Sequence, residues 1–189
     1  MISTDRAAEL VDLLGLEPHP EGGHFREVFR SARTVQPGDA RTPRCALSTI
    51  DFLLMRGEYS AWHRVRSDEV WHALEGGPLR LWLMSPALDT IEAVTLGRVD
   101  GREARPRHTV AADWWQAAEP LGDYAYAGAT VGPGFDFLDF AFLRDEAVAS
   151  ARLAALRADL CRLLQPVRSP SHSNEQKGAP SIASPDPTA

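Results

Sequence analysis

The sequence predicts an all-β fold, an antiparallel sandwich or barrel with a short helix at each end. Between residues 24 and 143 the apolar and aromatic runs are short and recur at close spacing. Turn-forming pairs such as Pro37-Gly38 and Asp100-Gly101 separate these runs. Many short strands with such turns are typical of sandwiches and barrels. Strands do not alternate with helices, so a parallel sheet is not expected.

The predicted strands are short runs of apolar and aromatic residues with turn-forming residues in the connections between them. They are His24–Arg30, Leu47–Met55, Ser60–Val65, Glu69–Glu75, Leu79–Met84, Ile91–Leu96, Arg107–Val110, Trp114–Ala118, Tyr124–Val131 and Asp139–Leu143.

A helix is predicted before the strands and another after them. Residues 5–14 carry Leu at helical spacing, with Ser3, Thr4 or Asp5 as the N-cap and Gly15 as the stop. Residues 144–165 form the second helix, which ends at Pro166. We expect its apolar stripe to pack on the barrel or on a partner subunit. The stripe consists of Leu153, Leu156, Leu160, Leu163 and Leu164.

The chain therefore divides into a barrel domain with its N-terminal helix (residues 1–143), an amphipathic helix (144–165) and a tail (166–189). The tail is rich in Ser, Pro, Ala and polar residues, a composition that predicts disorder.

Composition narrows the classes of function. The net charge of −6 and the lack of a basic run give no indication of nucleic-acid binding. The first residues are polar and acidic, unlike a signal peptide, and no apolar run is long enough to span a membrane. Only Cys45 and Cys161 are present, too few for a disulfide framework. We expect a cytoplasmic protein that binds neither nucleic acid nor membrane.

His63 and Glu69 are the main candidates for chemistry. Side chains alternate along a strand, so Glu69 and Trp71 share one face while His72 takes the other. A tight turn over residues 66–68 predicts that the strands of His63 and Glu69 lie side by side, with both side chains on one inner wall. An imidazole and a carboxylate so placed can bind a divalent metal or act as an acid–base pair.

The spacing around these two residues resembles the first motif of the cupin superfamily, Gly-x5-His-x-His-x(3,4)-Glu-x6-Gly. Here it reads Gly57-x5-His63-x-Val65-x3-Glu69-x6-Gly76, with Val65 in place of the second His. The second cupin motif has the core Pro-x-Gly-x-x-His. It corresponds to residues 111–116, where all three anchors differ and Gln116 stands at the ligand position.

Further segments resemble a branch of small bacterial and fungal cupins of unassigned function. They cover roughly residues 14 to 143 and include residues 16–23, 25–27, 67–72, 76–79, 115–118, 131–137 and 139–140. The resemblance implies an RmlC-like jelly-roll barrel (a double-stranded β-helix) that pairs as a homodimer. It implies no single activity, because the superfamily includes isomerases, dioxygenases, lyases, epimerases and binding proteins.

The resemblance also defines a candidate metal site. A full cupin site uses three His and one Glu, whereas this chain offers His63, Glu69 and Gln116. Two strong ligands and a neutral amide make a weak site for a divalent metal (Fe, Ni, Mn or Zn). The alternative is a metal-free pocket in which His63 and Glu69 bond to each other or to the ligand.

Four other residues are predicted to bind the ligand or to stand near it. Gln116 is expected to orient the ligand, and Trp71 to stack on a ligand ring, unless it is core. Either Arg26 or Glu27 is expected at the barrel mouth, with a surface ion pair as the alternative. His72 is a further candidate, although its face lies opposite that of Glu69.

Three further histidines and the Gly132-Pro133-Gly134 segment are interpreted as structural. His19, His24 and His108 have no partner at metal-ligand spacing, so a structural or exposed position is expected. The Gly-Pro-Gly segment predicts a turn that lets Phe135 and Phe137 enter the core.

Three functions follow from these residues. The first is an enzyme that binds a small polar metabolite and transfers protons through His63 and Glu69, as an isomerase, epimerase or lyase. The second is a cupin that binds a metabolite without changing it. The third is a metal-dependent cupin oxygenase.

Overall fold

A computed structural model describes residues 3–99 and 103–166 of the chain. Its β-strands form two facing antiparallel sheets and a small ribbon, the jelly-roll architecture predicted from the sequence. In chain order the strands are β1 (Glu17–Pro18), β2 (His24–Arg30), β3 (Thr34–Val35), β4 (Arg44–Cys45), β5 (Ser48–Met55), β6 (Ser60–Val65), β7 (Asp68–Gly76), β8 (Leu79–Met84), β9 (Ile91–Leu96), β10 (Arg107–Val110), β11 (Trp115–Pro120), β12 (Tyr124–Gly132) and β13 (Phe140–Phe142).

The larger sheet has the order β1-β2-β5-β12-β7-β10 and the smaller one β13-β6-β11-β8-β9, while β3 pairs with β4. Every predicted strand is present, with ends that differ by at most two residues. The two-residue strands β1, β3 and β4 were not predicted, because a run of two residues carries no alternation to recognise.

The chain crosses from one sheet to the other between β6 and β7. The predicted side-by-side pairing of these strands is therefore wrong: β6 pairs with β11 and β13, and β7 with β10 and β12. His63 and Glu69 consequently approach each other across the barrel interior, from opposite sheets. A tight turn fits either a hairpin or a crossover, so the residues 66–68 did not distinguish the two.

Inward-facing side chains of both sheets fill the space between them. Alternation along β7 and β11 sends one residue in two into this core. Its buried members are Phe52, Leu54, Trp71, Leu79, Leu81, Leu83, Leu96, Val110, Ala118, Ala125 and Ala127.

The N-terminal helix α1 (Ser3–Leu14) covers the outer face of the larger sheet. Its Ala7 and Leu10 are buried against Leu53 and Tyr124. This helix begins two residues before the predicted range and ends where predicted.

The C-terminal segment covers the outer face of the smaller sheet. Helix α2 (Ala147–Arg157) is followed by a 3-10 segment, Ala158–Leu163, so the single helix predicted over 144–165 is interrupted. The indole N–H of Trp62 on β6 donates to the carbonyl of Leu160, and this hydrogen bond attaches the 3-10 segment to the smaller sheet. Leu153, Leu160 and Leu163 are fully buried, so this part of the stripe packs on the barrel, the first of the two predicted alternatives, whereas Leu156 is exposed.

The predicted tail lies outside the described residues, apart from Pro166. Among the helices that the structure describes, none is long and apolar enough to cross a membrane.

Candidate functional site

A cavity of about 120 Å³ opens between the two sheets. Its walls are mainly apolar, with a few acidic groups among them. The lining residues are His19, Glu21, Phe25, Glu27, Arg30, Ser48, Ile50, Phe52, Val65, Glu69, Trp71, Ala129, Val131, Phe135 and Phe137. A concave, mostly apolar space with a few convergent polar groups is the usual form of a small-molecule site.

Glu69 reaches the cavity from β7 and is 6% exposed. Burial raises the pKa of its carboxyl to about 7, because removal from water disfavours the charged form, and the nearby charge of Glu21 raises it further. The hydrogen bond from Gln116 and the proximity of His63 act in the opposite direction. Glu69 is therefore a carboxyl that exchanges protons near neutral pH.

Gln116 joins the two sheets behind the cavity wall. Its Oε1 accepts a hydrogen bond of 3.0 Å from the indole N–H of Trp71. An indole nitrogen can only donate, so this bond turns the amide Nε2 toward the other neighbours. That nitrogen donates to Oε2 of Glu69 at 2.5 Å and to Nε2 of His63 at 3.1 Å.

His63 lies behind the cavity wall rather than in it. The register pairs it with Gln116 on β11, and its ring stacks on Phe140. Nδ1 donates to the carbonyl of Ala61 at 2.8 Å, while Nε2 accepts from Gln116. Burial lowers the pKa of the ring. His63 is thus a neutral imidazole with both nitrogens in hydrogen bonds, and it contacts a ligand only through its neighbours.

Glu21 is a functional candidate that sequence reasoning missed. Its carboxyl lines the cavity and is 7% exposed, and burial raises its pKa. Oε2 accepts a hydrogen bond of 2.8 Å from Ser60 and lies 3.4 Å from Nδ1 of His63. Ser60, Glu21, His63, Gln116, Glu69 and Trp71 form one buried polar network.

A tight turn places Glu21 inside the barrel. Gly22 N–H donates to the carbonyl of His19, and Ala61 N–H donates to the carbonyl of Glu21. Gly22 has a φ of +108°, and a Cβ there would lie 2.2 Å from the carbonyl oxygen of Tyr59. The adjacent glycines after Glu21 were the available signal, since they allow such an approach of two backbones.

His19 also lines the cavity, which refines its interpretation as a structural or exposed residue. Its ring contacts Phe25 and Phe52 edge to face, with centroids 4.4 and 5.5 Å apart. Nδ1 accepts from the backbone N–H of Glu21, and burial lowers the pKa of the ring. His19 is therefore a neutral side chain of the wall.

The mouth of the cavity carries an ion pair and two aromatic rings. Arg30 donates to both carboxylate oxygens of Glu27 and to the carbonyl of Phe135. Phe135 and Phe137 line the cavity instead of entering the core, and Phe137 is 66% exposed. The positive charge at the mouth is thus already neutralised by Glu27.

The structure places the other predicted ligand-binding residues as follows. Trp71 lines the cavity, and Glu27 rather than Arg26 stands at the mouth. Arg26 is exposed and donates to the carbonyl of Leu14, because strand alternation sends it outward. His72 lies on the outer face of β7 for the same reason. The predicted ligand contacts of Arg26 and His72 are therefore corrected.

Gln116 also differs from its prediction. It is 1% exposed and is absent from the cavity lining, so it orients Glu69 rather than a ligand.

The donor set does not fit the metal site that the cupin motif implies. Val65 supplies no ligand atom, and the amide of Gln116 directs its N–H groups, not its oxygen, at His63 and Glu69. A metal ion needs lone pairs from all three side chains, whereas an amide N–H offers none. In the described part of the chain, no group of three or more His, Cys, Asp or Glu side chains is arranged to hold a metal ion.

The model of a protein family described as "Cupin superfamily (DUF985)" matches residues 8–143. That range contains the whole buried polar network and every residue of the cavity lining. Among curated proteins, none matches the chain.

Solved structures of similar fold include two of comparable length. A hypothetical protein from Leishmania major is 28% identical, with a TM-score of 0.72 and coverage of 84% of this chain and 96% of that chain. A protein from Shewanella oneidensis is 29% identical, with a TM-score of 0.73 and coverage of 89% and 100%.

A more distant similarity is to the oxalate decarboxylase of Bacillus subtilis, for which Mn(II) centres are described. It is 14% identical, with a TM-score of 0.50 and coverage of 76% of this chain and 35% of that chain. This similarity reflects the fold alone.

Proposed function

Because the chain belongs to the cupin superfamily, in the family described as DUF985, we propose that its barrel binds a small polar metabolite and transfers protons on it. The observation that carries this proposal is Glu69, a carboxyl in an apolar cavity with a pKa of about 7. A general base works best when its pKa is close to the working pH.

Glu21 supplies the second proton-transfer group in place of His63. Both carboxyls line the cavity, and burial raises the pKa of each. In an isomerisation, the carboxylate of Glu69 takes a proton from a carbon next to a substrate carbonyl. The electron pair left on carbon moves into that carbonyl, and Glu21 in its protonated form gives a proton to the oxygen. Glu69 then returns its proton to the former carbonyl carbon, while Glu21 takes back a proton from a hydroxyl on the first carbon. That carbon becomes the new carbonyl, so both carboxyls are restored and no co-reactant is needed.

His63 and Gln116 hold Glu69 in position for this chemistry. The amide N–H of Gln116 fixes Oε2, which leaves Oε1 without a hydrogen bond from any described residue and free for a ligand. Fixed geometry of this kind is a large part of what an active site contributes.

The test is proton exchange at carbon. Compounds from a library of small carbonyl metabolites that bind the protein are kept with it in D₂O, and NMR follows the loss of their C–H signals. We expect exchange or isomerisation of at least one compound, and a fall in rate of about a hundredfold or more in Glu69→Gln. Glu75→Gln, on the same strand but outside the cavity, is the matched control and should exchange at the wild-type rate.

A second candidate is a binding protein that leaves its metabolite unchanged. The full hydrogen bonding of His63 and Gln116 favours it, because neither side chain has a free group for chemistry. Binding without exchange for every ligand found would overturn the enzyme and leave this candidate. Equal exchange rates in Glu69→Gln and the wild type would instead overturn the role of Glu69 as the base.

The metal-dependent oxygenase is the weakest of the three, since Val65 and the amide of Gln116 replace two ligands. We also propose the homodimer that the family resemblance implies. Light scattering tests it: a homodimer has twice the chain mass of 20.7 kDa, and a mass of 20.7 kDa would contradict it.

A further inference from the structure

The cavity has an unbalanced set of charges. Its lining contains three acidic side chains, Glu21, Glu27 and Glu69, and one permanently cationic side chain, Arg30. Arg30 is already bonded to Glu27 at the mouth. The interior therefore holds two carboxyls, and no described side chain of positive charge lines it to neutralise them.

The histidines do not supply that charge. His19 lines the cavity and His63 lies behind it, and burial lowers the pKa of both rings. Nδ1 of His19 accepts a backbone hydrogen bond and Nε2 of His63 accepts one from Gln116, as neutral imidazoles do.

Each of the two carboxyls keeps an oxygen available. Oε2 of Glu69 is used by Gln116 and Oε2 of Glu21 by Ser60, whereas neither Oε1 accepts a hydrogen bond from a described residue. Both side chains are more than nine-tenths buried. Carboxylate oxygens that lie at a cavity wall with no protein donor are complementary to a ligand that brings charged N–H groups.

The rest of the wall is rich in aromatic rings. Phe25, Phe52, Trp71, Phe135 and Phe137 line the same small cavity. Aromatic faces attract organic cations, and they also accept the apolar part of such a molecule. An organic anion would meet neither a free cation nor a favourable ring face.

From these contacts we infer that the cavity takes a small organic ammonium ion, with its N–H groups on Glu21 and Glu69 and its apolar group against the aromatic wall. The inference rests on the ligand cavity of the proposed function but not on its proton-transfer step. It assigns the charge and chemical class of the ligand.

Matched probes of different charge test it with the full-length protein. Benzylamine, benzyl alcohol and benzoate have nearly the same shape, as do isobutylamine, isobutanol and isobutyrate. Ligand-observed NMR at about pH 8, above the pKa of Glu69, compares their affinities. We expect the amine of at least one series to bind about tenfold or more tightly than its alcohol, and the carboxylates not to bind.

Isosteric variants then identify the groups responsible. Glu69→Gln and Glu21→Gln should each weaken amine binding by about tenfold to a hundredfold while leaving the alcohol unchanged. Glu75→Gln, outside the cavity, should leave both unchanged. The wild-type comparison within each series stands even if one of the variants fails to fold.

Three outcomes would overturn the inference: no amine of either series binds, the amine binds more tightly than its alcohol and its carboxylate in neither series, or the preference persists in both Gln variants. These results differ from a failure of the proposed enzyme. Alcohol or carboxylate binding followed by proton exchange would retain the enzyme and reject the ammonium ligand, and amine binding without chemistry would do the reverse.

Discussion

The indole N–H of Trp71 donates to Oε1 of Gln116 across 3.0 Å, and the two residues belong to opposite sheets of the barrel. Because this bond fixes the orientation of the amide, Nε2 of Gln116 can only donate to Glu69 and His63. The charge state of Glu69 therefore depends on Trp71, although Trp71 itself makes no hydrogen bond to Glu69.

Replacement of Trp71 by Phe should raise the pKa of Glu69. The hydrogen bond from Gln116 stabilises the charged carboxylate and so lowers its pKa, and loss of the indole N–H leaves the amide free to turn away. We expect an increase of about one unit, seen in an NMR titration of the glutamate carboxyls. Trp82→Phe is the control, because Trp82 donates to Glu119 outside the cavity. An unchanged pKa in Trp71→Phe would contradict the orienting role.

Glu69 should make stability depend on pH. Its pKa is about 7 in the folded state and 4.5 ordinarily, so the folded protein binds the extra proton between these values. The contribution of this proton to the free energy of unfolding is complete below about pH 4.5, and it is lost as the pH rises through 7. We expect the free energy of unfolding of wild type relative to Glu69→Gln to fall by about 3 kcal/mol across this window. Urea unfolding at several pH values measures it, and a difference that stays constant would reject the raised pKa.

Metal binding should be weak, since the amide N–H of Gln116 faces the two would-be ligands. After dialysis against Fe, Ni, Mn or Zn and removal of free metal, the protein should retain less than about a tenth of an equivalent. The double variant Val65→His with Gln116→His restores the two histidine ligands of the cupin motifs and should retain more metal than the wild type. Retention of a full equivalent of metal by the wild type would contradict the orientation assigned to the Gln116 amide.

Replacement of Gly22 by Ala should displace the turn that carries Glu21. A Cβ at this position would lie 2.2 Å from the carbonyl oxygen of Tyr59, and φ is +108°. We expect a loss of about 2 kcal/mol or more in the free energy of unfolding and weaker ligand binding.

Two other glycines distinguish steric clash from backbone strain as the cause of this loss of stability. Gly57 has a φ of +88° with no atom within 4 Å of its Cβ position, so Gly57→Ala should cost only about 1 kcal/mol, from backbone strain. Gly38 has open space and no positive φ, so Gly38→Ala should change stability by less than about 0.5 kcal/mol. Equal losses in all three variants would contradict the account of the turn.

The strands and much of the site follow from local patterns in the sequence. Short apolar and aromatic runs between turn residues located the strands, and period-two alternation placed Glu69 and Trp71 inward and His72 outward. Alternation says nothing about which sheet a strand joins, so the pairing of β6 with β7 was predicted wrongly.

The parts that sequence reasoning missed depend on contacts distant in the chain. Glu21 reaches the cavity only because its turn packs on β6, through the bond between Ala61 and Glu21. The withdrawal of His63 behind the wall depends on Gln116, 53 residues further along. Neither arrangement leaves a periodic signal in the sequence.

The pKa of Glu69 tests the central claim most directly. Carboxyl ¹³C NMR of protein labelled at glutamate, with Glu69→Gln to assign the signal, gives the value in the full-length chain. A midpoint of about 7 is the result that burial in an apolar cavity predicts. A midpoint near the ordinary 4.5 would mean that Glu69 is fully charged at neutral pH, and it would contradict the proposed acid–base role.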